Sequence, residues 1–152
     1  MSETRIGSVG LVGLGAMGRP MAETLARAGF RVRGFDTSEA RRAGLPGTVA
    51  ALEDLDGVDA VVLSLPNDAV VDGVVKALCR FSAVPLIIDT STVSPVTARL
   101  MSEAAYAAGG AYIDAPVSGG AAGAAGGSLL VMTGGDTAQV ERGMPGHDAM
   151  AR

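Results

Sequence analysis

Apolar positions along this chain come in short runs that alternate between two periods, one suited to strands and one to helices. Val9 to Val12 is a strand-length apolar run, and Arg19 to Ala28 then sets Met21, Ala22, Leu25 and Ala26 on one helical face. Phe30 to Phe35 alternates as a half-buried strand does, and Asp36 closes it. Thr37-Ser38 caps a short helix over Glu39 to Ala43, which Gly44 and Pro46 end. Ala60 to Leu65 is apolar enough for a strand buried on both faces, and Pro66 stops it. Asn67-Asp68 then caps a helix from Ala69 to about Cys79, with Val70, Val71, Val74, Val75 and Leu78 toward the core. Leu86 to Ile88 predicts a further strand. Ser94 and Pro95 open a helix that runs to Ala108 and stops at Gly109, and Ala111 to Ile113 predicts another short strand.

Residues 119–127 are only glycine and alanine, the composition of a flexible linker. Their flanks argue against a linker. Asp114 to Gly120 leads in from a strand, and the strand-like Leu129 to Met132 follows, ending at Gly134-Gly135 before a helix start at Asp136. Strand and helix thus alternate along the chain, with no internal repeat. The pattern predicts one α/β domain over residues 1–152, a Rossmann-type, doubly wound, mostly parallel sheet. Its crevice should lie at the carboxyl ends of the strands, near Gly13, Asp36, Leu65 and Thr92. The length, 152 residues, suffices for a real core and leaves no room for two full domains.

The first strand runs into Gly13-Leu14-Gly15-Ala16-Met17-Gly18, three glycines spaced G-x-G-x-x-G. In that arrangement Gly13 permits a tight turn, Gly15 lets the backbone approach a pyrophosphate, and Gly18 lets the next helix pack closely on the strand. That helix points its first free N–H groups and its positive dipole end at the same anion. Alone the spacing is a weak signal in a chain of 22 glycines. Context strengthens it, because a dinucleotide fold places its ribose hydrogen-bond acceptor about 20 residues further on, where Asp36 stands. Arg41 and Arg42, just beyond, raise the competing reading of a 2′-phosphate and hence NADP. Asp36 would repel that phosphate, so NAD is the expected cofactor and NADP the lesser alternative.

The net charge is −4 and aromatics are few, so neither a basic stripe nor a stacking platform is visible and no nucleic-acid partner is expected. The longest apolar stretches are strand-sized and glycine-broken, so no membrane span is expected, and the N-terminal apolar run is explained by the glycine cradle rather than by a signal peptide. Cys79, the single cysteine, cannot form an internal disulfide; it fits a reducing cytoplasm and reads as a small packed side chain. Lys76 is the only lysine and reads as a solvated surface charge. Tyr106 and Tyr112 read as packing residues, and His147, the only histidine, sits in an ending expected to fray. No metal-ligating set and no catalytic residue is assigned.

Several separate segments resemble one family, the β-hydroxyacid dehydrogenases of the 3-hydroxyisobutyrate type. Gly13 to Gly18 with Met21-Ala22 looks like the family's cofactor signature, Leu65-Pro66 like its strand end beside the cofactor, and Asp89 to Thr92 like its D-x-S-T turn. Asp114-Ala115-Pro116-Val117-Ser118-Gly119-Gly120, continuing through Gly127-Ser128-Leu129 to Met132 and Gly134-Gly135, looks like its substrate loop. This last run is far more specific than the glycine fingerprint, and the resemblance covers nearly the whole chain. It implies that Gly13, Leu14, Gly15, Ala16, Met17 and Gly18 hold the pyrophosphate of NAD. Asp36 and Thr37 would then meet the ribose, Leu65 and Pro66 line the cofactor channel, and Thr92 approach the nicotinamide. Ser118, Gly119 and Gly120 would bind the carboxylate of a small 3-hydroxy acid, a hydroxyl beside glycine N–H groups forming a compact anion nest. Thr24 departs from the family, where asparagine is often found.

Family members are longer and add a helical second domain whose start carries a catalytic lysine in a G-x-G-x-x-x-K signature, acting as general acid/base on the substrate oxygen. Nothing in this sequence matches that signature. The resemblance therefore implies an NAD-binding domain, inactive or nearly so alone, prone to self-association or completed by a separate helical-domain chain. A non-catalytic module binding NAD or a carboxylate is the alternative, and an imine reductase, which shares the glycine signature, a weaker one.

Overall fold

β1 (Ser8–Val12), β3 (Ala60–Leu63) and β4 (Leu86–Asp89) are buried over nearly their whole lengths, as their unbroken apolar runs require. The computed structural model describes residues 5–150. β2 (Arg31–Phe35) and β5 (Ala111–Asp114) flank the buried strands, and the order β2-β1-β3-β4-β5 is parallel throughout. Outside β2, Thr48 makes a parallel bridge to Gly34, and Val49 N–H donates to the Gly34 carbonyl at 2.9 Å. With that rudimentary strand counted, the order is the 3-2-1-4-5-6 of a doubly wound dinucleotide fold.

Alternation along the strands divides the core in two. Leu11, Val62, Ile88 and Ile113 are cross-strand partners in one row and pack with Met21 and Leu25 of α1 (Gly18–Arg27). The next row holds Val61, Ile87 and Tyr112. It packs with Val71, Val75 and Leu78 of α3 (Asp68–Leu78) and with Met101 and Ala105 of α4 (Pro95–Ala107). Each such side chain taken from water contributes about 1.5–3 kcal/mol, so helices on both faces hold the sheet. α6 (Thr137–Met150) and α5 (Gly120–Gly126) join the α1 face. The caps are those expected: Ser38 accepts from Arg41 N–H at the start of α2 (Glu39–Arg42), Asn67 from Val70 N–H and Ser94 from Thr97 N–H.

Several expectations are corrected. β3 stops at Leu63, two residues short of Leu65, because Gly13 ends β1 beside it and Leu65 N–H turns to the Ser91 hydroxyl instead of a ladder. On α3 the stripe Val71, Val75, Leu78 fills the interface, and Val70, one position out of phase, is 38% exposed. Tyr106 does not pack: it sits one position beyond buried Ala105 on α4 and is 83% exposed. As its flanks argue, the glycine–alanine run is no linker: it forms α5, and only the strand after it departs from expectation, shortening to β7 (Leu130–Val131), paired antiparallel with β6 (Val117–Ser118). Cys79 is half-buried against the α3 face of the core, and burial pushes its thiol up. The His147 side chain lies outside the described residues. Among the described residues no helix is long and apolar enough to cross a membrane.

Candidate dinucleotide-binding site

The three glycines of the loop after β1 differ sharply in what surrounds them. Gly13 has φ 97°, and a Cβ there would overlap the Ser64 carbonyl oxygen. A Cβ on Gly18 would overlap the carbonyl oxygen of Gly13. Gly15 alone faces open space: its added Cβ would meet only Arg41 Nη1, at 3.8 Å. The fold therefore requires glycine at 13 and 18 but not at 15, where the missing side chain leaves room for something from outside. Leu14, Ala16 and Met17 complete the loop; Met17, at the cap position of α1, makes no side-chain capping bond, Arg19 N–H turns back to the Gly15 carbonyl at 3.2 Å, and Pro20 brings no N–H.

Asp36 follows β2 and is only 6% exposed. Its Oδ2 accepts from Leu14 N–H at 2.9 Å and its Oδ1 from Ser38 N–H at 2.8 Å, so the acid pins the glycine loop to the end of the neighbouring strand. The Arg41 guanidinium lies 3.7 Å from Oδ2 with its side chain 61% exposed, spanning the space between Asp36 and Gly15. Thr37 is exposed beside it.

After β3, half-buried Leu65 and exposed Pro66 lie against the turn after β4. A chain of buried bonds holds that turn. Tyr112 O–H donates to Asp89 Oδ2 at 2.6 Å, Ser91 N–H donates to Asp89 Oδ1 at 2.9 Å, and Leu65 N–H donates to Ser91 Oγ at 2.9 Å. Thr90 Oγ1 also donates to the Leu63 carbonyl, at 2.6 Å. Thr92 comes next and is exposed. Burial pushes the Asp89 carboxyl up, against the bonds from Tyr112 and Ser91 that favour its ionised form. Burial, and then the Asp89 charge, push the Tyr112 hydroxyl up as well, so it stays a donor. Asp114, the register partner of Asp89 on β5, is pushed up by burial and by that same charge.

After β5, Ser118, Gly119 and Gly120 are exposed, the two glycines with φ 131° and 63°. Every residue expected at the site thus follows a strand of the parallel sheet at its carboxyl end, and the topology brings them to one edge. The Asp89–Tyr112 pair was not foreseen. Its signal is strand alternation: Tyr112 pairs with Ile87, which puts it on the same face as Asp89 two residues on. Two concavities, about 420 Å³ between α1 and Leu45–Gly47 and about 650 Å³ beside Gln139 and Arg142, lie away from this edge. Loop chemistry, not size, marks the site.

A glycine loop open only at its second glycine, an acid ending β2 and the 3-2-1-4-5-6 order define the class, a Rossmann-type dinucleotide-binding domain. Residues 8–152 match the family described as the NAD binding domain of 6-phosphogluconate dehydrogenase, and the chain belongs to that family. It is 37% identical to the NAD-dependent L-serine dehydrogenase of Pseudomonas aeruginosa, the match covering 95% of this chain and 51% of that protein. It is 39% identical to the 3-hydroxyisobutyrate dehydrogenase of the same organism, with the same coverage of 95% and 51%. The solved structure of Mycobacterium tuberculosis 3-hydroxyisobutyrate dehydrogenase with L-serine superposes with a TM-score of 0.90 at 35% identity, over 96% of this chain and 52% of that one. The chain spans about half the length of these relatives and corresponds to their NAD-binding part.

Proposed function

We propose that this chain binds NAD as the cofactor-holding part of a dehydrogenase for small 3-hydroxy acids of the 3-hydroxyisobutyrate kind. The observation that carries the reading is Gly15, free of any fold requirement between two glycines that the fold cannot do without. Backbone N–H groups from Gly15 to Gly18, where α1 starts, would take the pyrophosphate, while the N–H groups of Gly13 and Leu14 hold the loop to Phe35 and Asp36. Asp36 and Thr37 would meet the ribose; a carboxylate there disfavours a 2′-phosphate, and Arg41 beside it offsets part of that charge. Leu65, Pro66 and Thr92 would flank the nicotinamide end. Bound NAD supplies the hydride acceptor. Ser118 O–H and the amides of Gly119 and Gly120 would orient the substrate by its carboxylate, so that its reacting carbon faces the cofactor edge.

Hydride loss from an alcohol carbon also requires the hydroxyl proton to leave, a step to which a placed base contributes about 10²–10⁴-fold. Two of the proton carriers among the described residues are engaged elsewhere. Lys76 pairs with Asp72 at 2.9 Å on α3, and Tyr112 is buried on Asp89. We therefore propose that this chain alone binds NAD and oxidises hydroxy acids negligibly, a helical partner segment supplying the base. The test is a calorimetric titration with NAD and NADP, followed by a turnover assay on a panel of 3-hydroxy acids. NAD binding tighter than NADP, with negligible turnover, is expected. Turnover of about one per second, an ordinary enzyme rate, abolished by Ser118→Ala, would overturn the second half of the proposal.

A further inference from the structure

α5 has little reason of its own to be helical. It is seven residues of glycine and alanine, too short to persist alone, and each interior glycine costs about 1 kcal/mol relative to alanine. Docking holds it. Gly127 closes the helix in the left-handed region, and the N–H groups of Gly127 and Ser128 both return to the Gly123 carbonyl. The last carbonyls of a helix have no partner within it. Two of them are taken by α1: Thr24 Oγ1 donates to the Ala124 carbonyl at 2.6 Å, and Arg27 Nη2 donates to the Ala125 carbonyl at 2.6 Å. Arg27 Nη2 also donates to Thr24 Oγ1 at 3.0 Å, so the two side chains act as one clamp. Thr24 and Ala124 are buried, and Gly123 packs so closely that a Cβ there would come within 3.2 Å of Leu129 Cδ2.

The two helices in this clamp start at the two parts of the site. α1 begins at Gly18, at the glycine loop, and α5 begins at Gly120, at the end of the Ser118–Gly120 loop. We propose that Thr24 and Arg27 are positioning residues that couple the two, so that dinucleotide held at the start of α1 orders the Ser118–Gly120 loop for a carboxylate. The inference rests on the reading of the glycine loop as the NAD site. An exposed loop with two glycines at positive φ has much freedom to lose, and a cofactor that has already restrained its anchor leaves less of that cost to the substrate. By linkage, the carboxylate strengthens cofactor binding by the same factor.

Hydrogen–deuterium exchange of the full chain, with and without NADH, tests this beside a fluorescence titration of NADH affinity. In the unmodified chain NADH should slow exchange at residues 13–19 and also at residues 118–127, the latter by about fivefold or more, the lower end of common coupling factors. In Thr24→Val, NADH should still protect residues 13–19 but leave residues 118–127 unprotected, and Thr24→Ser should restore the coupling. Arg27→Ala, on an exposed side chain, should weaken it, and serves if Thr24→Val fails to fold. NADH protection confined to residues 13–19 in the unmodified chain would overturn the coupling and leave the NAD reading standing. Undiminished protection of residues 118–127 in both variants would overturn the clamp. Absence of NADH binding would overturn the NAD reading, and the coupling with it.

Discussion

Replacing Gly15 by alanine separates what the glycine loop does for the fold from what it does for a ligand. Gly15 lies outside the left-handed region, and its new methyl would meet only Arg41 Nη1 at 3.8 Å, an ordinary contact with the end of a flexible side chain. Alanine narrows the unfolded ensemble, worth about 0.4–1 kcal/mol of added stability, or roughly 1–4 °C in Tm for a chain of this size. The same methyl stands where the pyrophosphate would approach, so NADH affinity should fall at least about tenfold, or 1.4 kcal/mol. Gly18→Ala is the contrasting variant: its methyl overlaps the Gly13 backbone carbonyl, which cannot swing away, and should cost about 1–3 kcal/mol of stability. Thermal melting and NADH fluorescence titration of both proteins read the two effects separately. If Gly15→Ala binds NADH as tightly as the parent, the pyrophosphate does not lie over Gly15. If it melts as low as Gly18→Ala, the space around it is not open.

Asp36→Ala should weaken NAD more than NADP in calorimetry and, by leaving Leu14 N–H without its acceptor, lower stability by about 1–3 kcal/mol. Equal affinity of the unmodified chain for the two cofactors would count against Asp36 as the ribose acceptor. Burial raises the Asp89 carboxyl above the ordinary 3.8, so the fold favours its protonated form, and that contribution to stability is lost as pH rises through the raised value. Asp89→Asn, whose amide still serves Ser91 N–H and can donate to the Tyr112 hydroxyl, should therefore be more stable than the parent in urea melts at about pH 7.5. The advantage should shrink as pH falls toward the ordinary carboxylate range; a pH-independent difference would refute this account. Leu130 and Met132 stand 60% and 54% exposed beside the Ser118 strand, and the chain should self-associate through such apolar surface. In sedimentation velocity, Leu130→Ser with Met132→Ser should shift the protein toward monomer; an unchanged distribution would place the contact elsewhere.

What the sequence reveals of this fold is what depends on near neighbours. β1, α1 and β2 show in local apolar periods, the roles of Gly13 and Gly18 in their spacing, and the caps Ser38, Asn67 and Ser94 in single side chains that serve an N–H three residues on. What stays hidden depends on distant partners. β3 ends at Leu63 because β1, some fifty positions earlier, turns at Gly13 (Val12 pairs with Leu63). The run Gly120–Gly126 is helical because Thr24 and Arg27, about a hundred positions away, take its last carbonyls. Asp36 could be read as a ribose acceptor from its place after β2, but not as the residue that pins Leu14, and the burial of Asp89 beneath Tyr112 needed the register of β4 with β5.

The strand order has a consequence for how the chain assembles as it is made. β2 and β3 lie on either side of β1, so the centre of the sheet can form once the chain has been synthesised through Leu63. β4 then joins β3, and β5 joins β4, each on the same open edge and with its own helix following. No strand of the main sheet has to insert between two that are already paired. At about 5–20 residues per second, each growing edge waits only a few seconds for the next strand, so the margin that receives β4 and then β5 is unpaired only briefly.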